Sequence, residues 1–558
     1  MALASRAQAA IIGAKPSRRG NTIMAAEEYG AGSGVGEERI RKLNAAGLPA
    51  VEKATSRDRG AGPFGRLVLR GATIIDGTGA PPISPVDIVV EQGRITAIEK
   101  VGLPRRLSRD ALRPAAGDHE IDCTGKYVTP GFIDCHGHVG TPYHAMSGPM
   151  APADYVYKLW LAHGVTTVRE MGCLNGLAWT LDQRDRAARH EIAAPRMVAY
   201  AYFPAVNDMI KTIHTPDQAR SWLQAVKALG ADGIKFFGAP PQIMEAALDE
   251  CRKVGLRSGC HHAQQAVTRM STMTTARWGL GSQEHYYGLA ESLFENRVIQ
   301  DYTPDYDYGD EYFRFAFAGQ TFRQAAQPGS AKWNAVMDEF LELGFSFVPT
   351  FSIYDANRDL MRTRRADWHR DYTWAGLWNY YQPASGGHGS YWHRWSTSNE
   401  VDWKQNYRLW MQFINEFKNR GGRVCTGSDS GFIFQTFGFG YIRELELLQE
   451  AGFTPLEVLR AATIQGAELL GLQEETGSIE VGKSADLLIH DQNPLADFKL
   501  LYATGAMRLN EETRQVEWPR VLRYTIRGGV IYDVEELLAD VREMVAGSRA
   551  ASPELPVP

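Results

Sequence analysis

A chain of 558 residues, 44% hydrophobic and 22% charged with a formal net charge of −5, is long enough for several domains or one large barrel with additions. That balance gives no electrostatic reason to expect a nucleic acid or an anionic membrane as partner, and no apolar run approaches the roughly 20 residues that span a bilayer. Six scattered cysteines without a CxxC pair, and no convincing secretory signal, lead to the expectation of core thiols in a cytoplasmic protein.

Residues 1–65 are rich in Ala, Gly, Arg and Glu, with one short helical candidate at 37–46, and read as a flexible extension. From Arg66 the texture changes to short β-branched strands, RLVLRGATIIDGTG and VDIVVEQGRITAIEKVG, separated by glycine turns. Similar strands return in GSIEVGKSADLLIHD at 477–491 and RVLRYTIRGGVIYD at 520–533. Two such blocks around a long middle predict one small sheet domain assembled from both ends of the chain, from 66–129 and 475–535, leaving 536–558 as a C-terminal tail.

The middle, 130–474, alternates strand and helix, the pattern of parallel βαβ units. Strands are predicted at 131–136, 165–170, 196–200, 233–237, 256–261, 282–285, 345–351 and 422–427. A helix at 216–229 ends before Gly230, and the capping box Thr454-Pro-Leu-Glu457 opens the helix PLEVLRAATIQGAELLG. Eight units predict an α/β fold, a (β/α)8 TIM-like barrel, whose active site belongs at the C-terminal ends of its strands.

Several polar residues then fall on that rim. The first strand runs into GFIDCHGHV, where His136 and His138, two apart, share a face and could grip one cation. A lone HxH is more often a pair of solvated loop histidines. Here, however, Lys235 lies in strand four, His261 and His262 end strand five, His285 ends strand six and Asp429 follows strand eight.

With PGFIDCHGH, GVTTVREMG, GADGIK, QEH, TGSDSG and GSIEVGKSADLLIHDQNPL in place, the chain resembles the metal-dependent amidohydrolases over roughly residues 66–535, most closely the prolidase-like and imidazolonepropionase-like branch. The resemblance implies a barrel carrying a small composite β-sandwich and hydrolysis by a metal-bound hydroxide. It implies that His136, His138 and Asp429 hold one metal, and that His285 and a strand-five histidine hold a second. That histidine is taken as His262, which matches the family's His-Ala pair, with His261 as the alternative from the strand count. Lys235 would carry carbon dioxide as a carbamate bridging both metals, and Asp429 would shuttle the proton. Two divalent cations against Asp429, the carbamate and a hydroxide leave a cationic site that acidifies water. Zinc suits this ligand set first, manganese or cobalt next.

The expected reaction is cleavage of an amide or peptide-like C–N bond in an N-acyl amino acid, a dipeptide-like molecule or a cyclic amide. Alternatives are a lactone or phosphotriester hydrolase, a mononuclear deaminase or a non-catalytic scaffold. Aromatic-rich insertions at 286–335 and 355–410, the second carrying seven of thirteen tryptophans, leave from the ligand-bearing rim. They are expected to wall a pocket, with Tyr286 as a substrate contact, or to form a homo-oligomer interface. The partner is otherwise a small-molecule substrate, with a bulky hydrophobic or aromatic group.

Overall fold

The computed structural model describes residues 50–101, 113–205, 213–383 and 388–558. Five strands precede the middle of the chain: β1 (Arg66–Ile74), β2 (Ile83–Glu91), β3 (Arg94–Lys100), β4 (His119–Asp122) and β5 (Tyr127–Pro130). The β2–β3 hairpin closes through Gln92 and Gly93, both at positive φ, the twist that two-residue hairpins require.

The middle supplies β6 (Phe132–Gly137), β7 (Val165–Gly172), β8 (Arg196–Tyr202), β9 (Gly233–Phe236), β10 (Arg257–Cys260), β11 (Ser282–Glu284), β12 (Ser346–Val348) and β13 (Arg423–Val424). Each of the eight predicted strands has its counterpart here. They pair in parallel and in sequence order. The edge strands are joined as well: Cys135 N donates to Thr426 O at 2.9 Å and Asp429 N to His136 O at 2.7 Å. The result is a TIM-barrel-like α/β fold. Most of its strands are buried along their whole length, as parallel strands covered by helices must be.

After the barrel come β14 (Leu487–His490), a small hairpin of β15 (Arg508–Leu509) and β16 (Val516–Glu517), then β17 (Leu522–Arg527) and β18 (Val530–Asp533). Strands from both ends of the chain form one eight-stranded sheet, in the order β18-β17-β14-β5-β1-β2-β3 with β4 paired to β1. Leu67, Leu69, Ile88, Val90, Leu487 and Ile526 belong to its core.

Three segments differ from the reading of the sequence. Residues 50–65 of the expected extension are tied to the barrel, Val51 N donating to Asn175 Oδ1 and Ala54 N to Gln183 Oε1, both at 3.0 Å. The helical candidate at 37–46 lies outside the described residues. The expected tail is a helix, Val534–Ala550, whose Leu537, Leu538, Val541 and Val545 are buried. The long helix after Thr454 is two, Pro455–Ala462 and Ile464–Leu470, broken where Thr463 leaves helical geometry at φ −134° and ψ −93°. Its hydroxyl donates to Leu459 O instead. The helix Pro216–Leu229 is as predicted, with Thr215 and Gln218 forming its capping box and Gly230 its left-handed cap. No helix among the described residues is long and apolar enough to cross a membrane.

Candidate active site

The barrel brings His136, His138, Lys235, His261, His285 and Asp429 to one rim. His136 and His138 both face Asp429, with Nε2 at 3.6 and 3.1 Å from its Oδ1, while His285 Nε2 lies 3.6 Å from Oδ2. Ligand atoms of His136, His138 and Asp429 all fall within 4.8 Å of one another, close enough to share an ion. Lys235 Nζ is 3.5 Å from His136 Nε2. Gly137 does separate the two histidines, but the space it leaves is on the other face: a Cβ there would meet Val168 at 2.6 Å.

Register explains which side chains look inward. Lys235 on β9 pairs with Gly259 on β10, so residue 261, two further on, shares the inner face and residue 262 does not. The His261 ring accordingly packs 4.7 Å from His285, and its buried Nε2 has no partner. His262 turns outward, Nε2 lying 2.8 Å from Thr275 Oγ1 on the helix Thr272–Arg277. The geometry therefore favours the strand-count alternative over the motif match. His285 and Asp429 have positive φ, 64° and 48°, as does Thr350 at 51°. That unusual backbone swings His285 back toward the centre although the preceding Glu284 already points there.

The charges around these groups are buried and paired. Glu284 Oε2 sits 2.8 Å from His136 Nδ1, so the imidazole donates there and keeps its Nε2 lone pair for the centre. Both Glu284 oxygens accept from Arg169 Nη2 at 2.8 Å, and Ser282 Oγ donates to Oε1 at 2.7 Å. A Cβ on Gly259 would come within 2.7 Å of Glu284 Oε1, so glycine is required for the carboxylate to fit. His285 Nδ1 is engaged 2.5 Å from Thr350 Oγ1, again leaving Nε2 inward. Sequence reasoning misses Glu284 of QEH and Arg169 of GVTTVREMG; two opposite charges on fully buried strands are the available signal.

Burial lowers the Lys235 ammonium to about 8 against the opposing pull of Glu284 and Asp429. Burial likewise lowers His285 to about 4 and His261 well below its usual value. His138 goes the other way: burial opposes its charge, but Asp429 and Glu170 raise it to about 9. Burial opposes the charge of Asp429, which keeps some exposure, yet the three histidines hold it far below the ordinary carboxylate range. A carboxylate in a ring of imidazoles with an unpartnered buried His261 Nε2 is a donor set that fits divalent metal, since neutral imidazole and ionised carboxylate are the forms that ligate.

Tyr286 is not at this site. Its hydroxyl donates to Ala318 O at 2.7 Å and its ring packs 4.8 Å from Trp410, inside the insertions' own core. The next residue, Tyr287, is the one beside the ligands, 5.3 Å from the His261 ring. Tyr354 stands 5.6 Å from His285 and Phe432 6.1 Å from His138.

Comparison with known proteins agrees with this architecture. The family model of the amidohydrolase family matches residues 411–529. A 5'-deoxyadenosine deaminase of Methanobrevibacter smithii is 50% identical over 52 residues, which span 9% of this chain and only 12% of that relative. Among solved structures, a Xaa-Pro dipeptidase with bound methionine in the active site is similar at TM-score 0.53 and 18% identity, covering 84% of this chain and all of the other. Bottromycin amidohydrolase reaches TM-score 0.57 at 20% identity, over 86% of this chain and 90% of its own. The family match is confined to residues 411–529, and the solved structures, at 18% and 20% identity, share the fold.

Proposed function

We propose that the protein is a binuclear metal-dependent hydrolase of an amide or peptide-like C–N bond. The observation that carries this is the convergence of Lys235 and Asp429 with four inward histidines on one barrel rim, one of which, His261, has a buried Nε2 with no protein partner. His136, His138 and Asp429 would hold one divalent ion, and His261 and His285 the other. Zinc is the first choice for these ligands. Bound divalent metals make water a nucleophile near neutral pH and polarise the carbonyl it attacks.

Each protein group then has a task. Lys235 is lowered to about 8, so a usable fraction is neutral amine near pH 7. Its lone pair could attack carbon dioxide, releasing one proton and leaving a carbamate whose single negative charge, shared by two oxygens, would offer two ligand atoms to the metals. Asp429, the member of the cluster with some solvent access, takes the proton of the attacking water and returns it to the departing nitrogen. Glu284 fixes the His136 ring, and Arg169 fixes Glu284.

The test combines metal analysis with substrates. About two metals per chain are expected, His136→Ala lowering both metal content and turnover. Lys235→Ala should abolish turnover, with partial return on adding a short carboxylic acid. A screen of amides, lactones and phosphotriesters should give activity on the amides. Full activity after verified removal of metal sinks the reading.

A further inference from the structure

The hairpin of β15 and β16 belongs to neither of the large sheets. Arg508 lies opposite Glu517 and Leu509 opposite Val516. Bonds from Asn510 N to Gln515 O at 2.9 Å and from Ala506 N to Pro519 O at 3.2 Å carry the same register to both ends, so Met507 opposes Trp518. Directly opposed residues share a face and successive pairs alternate. Met507, Leu509, Val516 and Trp518 therefore make one face, and Arg508 and Glu517 the other.

The apolar face is bare. Met507 is 72% exposed, Trp518 54%, Leu509 51% and Val516 50%. Arg508 and Glu517 are exposed as well, so the ribbon has water on both sides. A two-stranded ribbon with no third strand beside it and no helix beneath it is marginal in water. Its base is closely fitted, since Gly505 has a φ of 74° and a Cβ there would meet Trp518 O at 2.3 Å. Its charges have partners within the chain, Arg508 with Asp497 at 3.2 Å and Glu511 with Arg514 at 3.1 Å. What the ribbon lacks is cover for its apolar side.

We propose that this face packs against the same face of a second copy, making the chain a two-fold dimer. The complement has to be apolar over several neighbouring side chains. Other exposed large apolar residues, such as Ile83, Met146, Val298 and Val557, come singly, and among the described residues no other strand or helix presents two of them. The best match for the ribbon on this molecule is the ribbon. Half or more of four large side chains leaves about 400–500 Å2 of apolar surface on each copy, a size that marks an interaction site. Two copies then bury about 1,000 Å2 before the rim is counted, the least that a specific interface needs. A contact between identical faces uses both up, so assembly closes at two. The proposal holds whatever bond the barrel hydrolyses.

Sedimentation velocity of the full chain over a range of concentrations tests it. A monomer–dimer equilibrium is expected, with a dissociation constant on the order of micromolar for a contact of this size. Leu509→Glu and Trp518→Glu should each weaken it by at least about 100-fold, because symmetry buries the new charge twice. Glu517→Gln, on the opposite face, should leave it nearly unchanged. Hydrogen exchange in 507–518 should slow as the concentration rises, a measurement that needs no variant. The proposal is overturned by a chain that stays monomeric at every concentration, or by an assembly of any size that either glutamate substitution leaves intact. Slow exchange of the ribbon in the monomer also overturns it, since the chain's own residues 1–49, outside the described ones, would then be the cover.

Discussion

Glu284→Gln is the sharpest probe of how the site is held. Glu284 and Arg169 are both fully buried and meet through two 2.8 Å contacts, with Ser282 and His136 Nδ1 on the same carboxylate. Glutamine keeps the shape but removes the charge, leaving the Arg169 guanidinium in the barrel interior without a counter-ion. Breaking one partner of a buried pair costs about 3–5 kcal/mol. Removing the other charge as well, in Arg169→Met with Glu284→Gln, leaves no stranded ion, so the double variant should lose less than the sum of the singles. His136 would also lose the charged acceptor that fixes its tautomer, and metal affinity should fall about 10- to 100-fold. Urea unfolding midpoints and competition with a chromophoric chelator measure the two effects. A Glu284→Gln protein within about 0.5 kcal/mol of wild type, with unaltered metal affinity, would refute the account of a charge pair that positions His136.

His261→Ala should lose about one metal per chain while His262→Ala keeps both, read by elemental analysis; the reverse would return the ligand to His262. Asp429→Asn should remove most turnover with a far smaller change in substrate affinity, and near-normal kcat would exclude it as the proton carrier. Glu444 predicts a pH effect on stability. Burial raises its carboxyl to about 8, and its Oε1 has no partner while another oxygen accepts from Ser352 N at 2.7 Å. A raised folded pKa means stability fully present below the unfolded value of 4.5 and lost as pH rises through about 8. Glu444→Gln should flatten the loss of thermal stability between pH 5 and 9; an unchanged slope would show that Glu444 is not its source.

How much of this was legible depended on whether a local pattern decided the outcome. The eight barrel strands were, because short strand candidates alternate in order with helical segments that glycines or caps end. The rim was legible too, since the ends of successive parallel strands share one face of the barrel. Strand five was not settled by motif: His262 matches the family's His-Ala pair, but the pairing of Lys235 with Gly259 turns His261 inward. The same parity argument separates Tyr286 from Tyr287. The C-terminal helix was missed although Val534, Leu537, Leu538, Val541 and Val545 recur at helical spacing; that period should have outweighed its position at the chain end. Residues 50–65 are held by bonds to distant groups, among them the Asn175 and Gln183 side chains, and no local pattern announces such partners.

The tryptophans carry the remaining argument. Density of aromatic residues in 355–410 suggested either pocket wall or subunit contact, yet Trp378, Trp392, Trp403 and Trp410 are buried and Trp368, Trp374 and Trp395 are packed against the same core. Much of their surface is thus already covered by this chain. Trp403 stacks on Tyr354, and Trp410 packs on Phe351 and Tyr286. They form a backing, and the rings nearest the ligands are Phe237, Tyr287, Tyr354 and Phe432, which follow the barrel strands. A bulky insertion can therefore set specificity without presenting its own bulk to the substrate. It holds the strand-end tyrosines in place from behind, while the other insertion brings the helix with Glu311 and Arg314 close to Gln264.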